Sequence, residues 1–158
     1  MKNIRFSHRQ ELLETAKSLI KQGFSIIPVY GDSHPNQPKK PATLWGKYQK
    51  RLANPHEITT WFTQDITAIG IICGKISNLL VIDFDDHFTY MQFRKDHPTF
   101  AETFTVKTRR GYHLYFEAHQ YITSHHFDGG DIKGEKSYII ASPSIINGYR
   151  YKVLNNIA

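Results

Sequence analysis

The sequence is poor in cysteine and has no long apolar run. Its one cysteine, Cys73, excludes an internal disulfide and a zinc site built from several cysteines, and this scarcity agrees with a reducing compartment. No stretch approaches the roughly 18 apolar residues that a membrane-spanning helix needs. Residues 1–6 lack the apolar core of a signal peptide. We therefore expect a cytoplasmic protein with no membrane partner.

Acidic residues are fewer than basic ones, 14 against 20, which gives a net charge of +6. This balance favours a polyanionic partner such as nucleic acid or nucleotide, although many basic proteins bind neither. The 158 residues are enough for one domain with a single core. Composition therefore predicts a globular protein that folds alone.

Strands that come in pairs, with helices between them, predict an α+β fold rather than a parallel doubly wound sheet. Helices are predicted from a capping box at Ser7 to Gly23, after an Asn54 cap, and over residues 88–96. Pro28 cannot donate to a ladder, so it is predicted to lie at a sheet edge or near a strand end. The predicted strands are residues 24–30, 68–74, 78–84, 103–108, 112–116, 137–141 and 149–153. The second and third of these strands are predicted to form an antiparallel hairpin. A polar loop is predicted over residues 31–42 and a glycine-dense loop over residues 128–134.

The apolar run LLVIDFDD at residues 79–86 ends in carboxylates at alternate positions. Side chains on a strand alternate between its faces, so Asp83 and Asp85 point to the side opposite Phe84. Residues i and i+2 lie roughly 6.5–7 Å apart along a strand, and two carboxylates at this spacing can bind one divalent cation or a pair. Taken alone, the pattern also fits a strand that ends in a solvated acidic turn.

A histidine occupies the strand YHLYF at residues 112–116. If this strand and the strand that carries Phe84 share a sheet, the alternation of side chains places Leu114 in the same core layer as Phe84. His113 then emerges on the same side as Asp83. Taken alone, such a histidine also fits a packed or surface position.

A third carboxylate, Asp131, lies in the segment GGDIKG at residues 129–134, with Lys133 two positions further on. Glycines let a backbone approach a ligand closely, although an aspartate here could also only serve the turn. Three acids, one imidazole and one amine are groups that bind Mg²⁺ or Mn²⁺ through oxygen and a triphosphate through nitrogen.

In this order the motifs resemble the bifunctional primase-polymerase (Prim-Pol) domain of the archaeo-eukaryotic primase superfamily. The likeness covers nearly the whole chain. It rests on residues 23–24, 28–29, 39–41, 70–74, 81–85, 108–116, 130–134, 141–144 and 148–149.

The resemblance implies an RRM-like catalytic palm with a mixed or antiparallel sheet, joined to a small α/β unit. One domain over residues 1–158 would then comprise an N-terminal unit up to about residue 66 and a palm over 67–158. It implies that Asp83, Asp85 and Asp131 bind two Mg²⁺ or Mn²⁺ ions, and that His113 contacts the phosphates of an incoming nucleotide. The reaction would be a two-metal nucleotidyl transfer.

Further groups are predicted to contact phosphate: Lys133, Lys39, Lys40, Arg109, Arg110, Ser142 and Ser144. The family usually has serine and glycine at the positions of the two arginines, which therefore either bind phosphate or face solvent. Expected partners are a DNA template and primer, nucleoside triphosphates, and a helicase or helical primase domain. His126 is predicted to lie on the surface. Trp45 is predicted to be a packing residue.

Two other functions fit the same residues. The first is a DNA-binding module of a replication initiator that kept the fold and lost catalysis. The second is a metal-dependent phosphoesterase that uses the same acids. Primer extension separates the first from a polymerase, and product analysis separates the second.

Overall fold

The computed structural model describes residues 2–31, 36–62 and 66–155. Positions 32–35 of the predicted polar loop lie outside the described residues. Helices and antiparallel sheets are both present, which confirms the α+β class. The described helices are α1 (Lys2–Lys21), α2 (Pro55–Trp61), α3 (His87–Asp96) and α4 (Pro98–Ala101), with a 3-10 helix at Gly46–Gln49.

Local capping chemistry explains where α2 begins. The side chain of Asn54 accepts a hydrogen bond from the Glu57 amide at 2.8 Å, and the Glu57 carboxylate accepts one from the Asn54 amide at 3.0 Å. Pro55 occupies the first helical position, as predicted. The capping box predicted at Ser7 is wrong, because α1 begins before Ser7. A Ser-x-x-Gln pair is a local signal that a helix interior also tolerates.

The strands are β1 (Ile26–Val29), β2 (Ala68–Ile72), β3 (Leu79–Phe84), β4 (Thr105–Lys107), β5 (Tyr112–Glu117), β6 (His125–Phe127), β7 (Gly130–Lys133), β8 (Tyr138–Ile140), β9 (Ile145–Ile146), β10 (Tyr149–Arg150) and β11 (Lys152–Asn155). They form a three-stranded sheet in the order β1-β2-β8, a six-stranded sheet in the order β11-β4-β5-β3-β7-β6, and the pair β10-β9. β1 lies at an edge, which confirms the position predicted for Pro28.

The predicted hairpin between residues 68–74 and 78–84 is wrong. β2 pairs with β1 and β8, whereas β3 pairs with β5 and β7, so the two strands belong to different sheets. A single bridge between Gly74 and Leu79 links them. Every residue of β2 is buried, and its backbone groups find hydrogen-bond partners in β1 on one side and in β8 on the other.

Two predictions for the last third of the chain also change. The glycine-dense loop at residues 128–134 contains the turn and second strand of the hairpin β6-β7. The predicted strand at residues 149–153 is divided into β10 and β11, which pair with different partners. The division falls at Tyr151, whose amide donates to the Ser144 carbonyl at 2.9 Å.

The six-stranded sheet separates two hydrophobic clusters. On one face Phe84 and Leu114 pack with Tyr90 of α3, as the alternation predicts. On the other face Val81 and Val106 pack in a larger cluster that includes α1 and the three-stranded sheet. Within the described residues, no helix is long and apolar enough to cross a membrane.

Candidate active site

One row of side chains crosses the six-stranded sheet. Asp83 on β3 lies opposite His113 on β5 and opposite Asp131 on β7. Asp131 in turn lies opposite His126 on β6. Residues directly opposite each other on antiparallel strands share a face of the sheet. The row therefore places two carboxylates between two imidazoles, on the face that also carries Val81.

Three carboxylates converge at this row. One oxygen from each of Asp83, Asp85 and Asp131 lies within 4.8 Å of the other two. Burial and the negative charges of Asp83, Asp131 and Asp86 raise the pKa of Asp85. The ionised cluster therefore repels itself, and a bound cation would relieve this repulsion.

His113 is the buried member of the row. Its side chain is 7% exposed, and its Nε2 lies 3.4 Å from Asp83 Oδ1. Its Nδ1 is buried and has no hydrogen-bond partner among the described residues. Burial acts to raise the pKa of Asp83, but the hydrogen bond and charge of His113, with the charges of Lys133 and Lys39, hold that pKa below its ordinary value. Asp83 is thus kept ionised, as a metal ligand must be.

Two clefts meet at the row, and both are lined by Asp83, His113, Lys39 and Tyr151. The smaller cleft, of about 380 Å³, adds Trp45, Lys133, Lys136 and Tyr138. The larger cleft, of about 610 Å³, adds Asp85, Arg109, Arg110 and Asn147. Each cleft thus combines the acidic row with positive charge, which suits substrates that carry phosphate.

Lys39 enters both clefts from a constrained loop. Its backbone lies in the left-handed region, with φ of +68°, a conformation that is uncommon for residues other than glycine. Its amide donates a hydrogen bond to the Tyr30 carbonyl at 2.8 Å, and the Lys40 carbonyl accepts one from the Tyr30 amide at 2.9 Å. The backbone of this loop is therefore held beside β1, while the ammonium group remains near Asp83.

The arginine turn, residues 108–111, joins β4 to β5, as predicted. Lys107 Nζ donates to the carbonyls of Thr108 at 2.6 Å and Gly111 at 3.2 Å. A Cβ atom at Gly111 would lie 1.7 Å from the Phe84 carbonyl oxygen, so only glycine lets the turn approach β3 so closely. The approach brings the exposed Arg109 and Arg110 to the end of the acidic strand.

Three residues predicted to contact phosphate line neither cleft. Lys40 is exposed, and its backbone accepts a hydrogen bond from the Tyr30 amide and donates one to the Gln37 carbonyl. Ser144 is fully buried, and its Oγ accepts a hydrogen bond from the Ile69 amide at 2.8 Å. Ser142 donates to the Tyr151 carbonyl at 3.0 Å and faces a separate cavity beside α1. The two hydroxyl groups thus connect strands within the fold.

The structure adds residues that the sequence interpretation did not include in the site. Tyr151 lines both clefts, and burial, together with the charge of Asp83, raises its pKa to about 12. His126 contacts Asp131 through Nδ1 and Oδ1. A sequence signal for His126 existed, because the dipeptide Asp128-Gly129 is typical of two-residue hairpin turns. Pairing across that turn puts His126 opposite Asp131.

The donor set fits a magnesium or manganese ion. Asp83, Asp85 and Asp131 offer hard carboxylate oxygens, which these cations prefer. Lys133 Nζ lies 4.0 Å from Asp131 Oδ2, which is too distant for a hydrogen bond. The three carboxylates could therefore hold a divalent cation.

The site thus combines three carboxylates that could hold a divalent cation with positive charge that suits phosphate, an arrangement typical of proteins that act on nucleotides or nucleic acids. The family model described as bifunctional DNA primase/polymerase, N-terminal, matches residues 16–158, and the chain belongs to this Prim-Pol family. The match confirms the resemblance seen in the sequence. Membership implies a primase/polymerase function, dependence on metal, and DNA and nucleotide substrates. A comparison with curated proteins gave no match.

Proposed function

We propose that the protein is a replicative primase/polymerase of the plasmid, phage or mobile-element type, which extends a nucleic-acid primer on a DNA template by nucleotidyl transfer. The observation that carries this proposal is the convergence of Asp83, Asp85 and Asp131 within 4.8 Å, next to His113. We further propose that residues 1–158 act as one domain, with an N-terminal unit up to about residue 66. The cytoplasmic location and a helicase or helical primase partner stay predictions.

The three carboxylates would hold two Mg²⁺ or Mn²⁺ ions. When bound, these cations lower the pKa of the primer 3′-hydroxyl and stabilise negative charge on the departing pyrophosphate. Asp83 suits this role because its pKa is held down, so that it stays charged. Burial and repulsion from the neighbouring carboxylates raise the pKa of Asp85, and a bound cation would relieve the repulsion.

The smaller cleft suits the incoming nucleoside triphosphate. Lys39, Lys133 and Lys136 bring three ammonium groups to its walls, and His113 lies where the cleft meets the carboxylates. His113 would contact a phosphate oxygen beside Asp83, through the part of its ring that lines the cleft. These residues would hold the triphosphate in line with the primer terminus, and such positioning supplies much of the catalysis in phosphoryl transfer.

The larger cleft suits the primer and template backbone. Arg109 and Arg110 lie on its wall next to Asp85, on a turn fixed by Lys107. Arginine binds phosphate oxygens in a sequence-independent way, which a template-directed enzyme requires.

Primer extension tests the proposal. With Mn²⁺, a labelled primer-template and nucleoside triphosphates, the wild type should extend the primer, and Asp83→Ala should lose at least 100-fold in rate. Asp96→Ala is the matched control, because Asp96 is an exposed aspartate at the end of α3. If the wild type and Asp83→Ala extend equally poorly while both bind DNA, the inactive binding module is correct. If Asp83-dependent release of nucleotides from DNA replaces release of pyrophosphate, the phosphoesterase is correct.

A further inference from the structure

His126 is an exposed residue with an unusual contact. It lies on β6, the edge strand of the six-stranded sheet, and its side chain is 91% exposed. Its Nδ1 nevertheless contacts Asp131 Oδ1 directly. The adjacent His125 is also exposed, but its Nδ1 faces the Thr123 carbonyl at 3.0 Å instead. Of these two neighbouring histidines, therefore, His126 contacts a carboxylate of the site, whereas His125 contacts a backbone carbonyl.

The strand register explains this difference. His126 pairs with Asp131, whereas His125 pairs with Ile132. Because side chains alternate along a strand, His126 lies on the face of the acidic row and His125 lies on the opposite face. The contact between His126 and Asp131 therefore follows from the hairpin itself.

The arrangement repeats on the other side of the row. His113 contacts Asp83 Oδ1 through Nε2, and His126 contacts Asp131 Oδ1 through Nδ1. Each of the two carboxylates that face each other across β3 and β7 thus has its own imidazole. An imidazole N–H that donates to one carboxylate oxygen fixes the plane of that carboxylate and directs its other oxygen.

We propose that His126 is a positioning residue for the metal site, which orients Asp131 so that its second oxygen is presented to the cation. The proposal rests on the proposed metal-binding role of Asp131. His126 acts through Asp131 and does not belong to the group of carboxylates within 4.8 Å. Partners of metal ligands typically contribute 10- to 100-fold in metal affinity, and we expect a contribution of tenfold or less here because the side chain is exposed.

Manganese binding to the purified full chain tests this role without any nucleotide. In a titration followed by electron paramagnetic resonance, His126→Ala should raise the apparent Kd for Mn²⁺ by roughly three- to tenfold. His126→Asn should restore the Kd to within about twofold, because its side-chain amide can donate from a position close to that of Nδ1. His125→Ala is the matched control and should bind as the wild type does.

A second readout separates positioning from a purely structural role. In primer extension, His126→Ala should need more Mn²⁺ for its half-maximal rate and recover most of that rate at saturating Mn²⁺, with an unchanged Tm. An unchanged Kd in His126→Ala, with normal binding by the wild type, overturns the positioning role and leaves the proposed function intact. Mn²⁺ binding that Asp83→Ala and Asp85→Ala do not weaken overturns the proposed metal site, and the positioning role with it.

Discussion

The hydroxyl group of Tyr138 donates a hydrogen bond to the backbone carbonyl of Lys39 at 2.5 Å, across a separation of 99 residues in the chain. Tyr138 lies on β8, and Lys39 lies in the loop beside β1. The bond therefore connects an outer strand of the three-stranded sheet to the loop that presents a cation to both clefts. Trp45 packs edge-on against the Tyr138 ring, with 5.2 Å between the ring centroids, and supports this arrangement.

Tyr138→Phe should weaken nucleotide binding while chemistry is preserved. It removes one hydrogen bond, worth about 0.5–1.5 kcal/mol, so the KM for the nucleoside triphosphate should rise roughly two- to tenfold at nearly constant kcat. Steady-state primer extension measures both constants. Tyr121→Phe, at an exposed tyrosine, is the matched control. A fall in kcat at unchanged KM would contradict this role for the bond.

Asp85→Asn should stabilise the metal-free protein. Burial and the neighbouring carboxylates raise the pKa of Asp85, so its ionised form is disfavoured in the folded state and its charge lowers stability at neutral pH. Removal of the charge should add about 0.2–1 kcal/mol to the free energy of unfolding, the range for like charges on neighbouring strands in solvent. Urea unfolding in EDTA measures this change, with Asp128→Asn as control.

The same Asp85→Asn variant should respond less to metal. A cation that binds only the folded state raises stability by mass action. MnCl₂ should therefore raise the Tm of the wild type more than that of the variant. Equal stabilisation of both proteins would show that Asp85 is not a ligand.

Gly111→Ala should disrupt the contact between the arginine turn and the acidic strand. The added Cβ would lie 1.7 Å from the Phe84 carbonyl oxygen, so β3 or the turn must move. We expect a loss of about 1–3 kcal/mol in stability and impaired primer extension. Gly46→Ala is the control, because a Cβ there meets no atom within 4 Å. A fully stable and active Gly111→Ala variant would refute the close approach.

Glu57 should make stability depend on acid pH. The Arg51 guanidinium bonds to its carboxylate, and together with the Tyr48 hydroxyl and the Asn54 amide it outweighs burial and lowers the pKa of Glu57 from 4.5 to about 2. A lowered folded-state pKa adds stability that is fully present above pH 4.5 and is lost as the pH falls towards 2.

Glu57→Gln should therefore cost about 1–2 kcal/mol at pH 7, since it removes the negative charge that strengthens the hydrogen bonds to Arg51 and Tyr48. The difference from the wild type should shrink as the pH falls from 5 to 3. Urea unfolding across this range measures it, and Glu102→Gln is the exposed control. A difference that does not vary with pH would contradict the lowered pKa.

Arg110→Ala should weaken DNA binding in a salt-dependent way. A phosphate contact releases a counterion, so its loss should reduce the slope of log K against log salt by about 1. Fluorescence anisotropy at several salt concentrations measures this slope. Lys17→Ala, at an exposed basic residue on α1, should leave it unchanged. An unchanged slope for Arg110→Ala would mean that this arginine faces solvent.

The sequence predicts local structure correctly where the residues that determine it lie in one short segment. The Asn54 cap depends on side chains three residues apart, and the shared face of Asp83 and Asp85 depends only on the period of a strand. The sequence does not predict in the same way which distant strands pair with each other. Residues 75–78 look like a hairpin turn between β2 and β3, yet β2 pairs with β8, whose strand lies far along the chain.

The candidate site shows the same contrast between local motifs, which the sequence reveals, and distances between strands, which it does not. Asp131 was identified from its glycine-rich motif, but its distance to Asp83 depends on the register between β3 and β7. His126 is a surface residue, as predicted, but its contact with Asp131 depends on the β6-β7 hairpin, which the sequence predicts only as a loop. The phosphate contact predicted for Ser144 is not supported, since a motif position alone does not reveal that the hydroxyl is engaged by Ile69.

Pro28 has a consequence for how the molecule meets other chains. It lies in β1, which forms an edge of the three-stranded sheet, and it carries no amide hydrogen. Its carbonyl already accepts a hydrogen bond from the Ala42 amide at 2.9 Å, and Val29 forms a bridge with Pro41. An extended peptide added to this edge could not form a continuous row of backbone hydrogen bonds with β1. The edge therefore resists the strand addition through which exposed sheets aggregate.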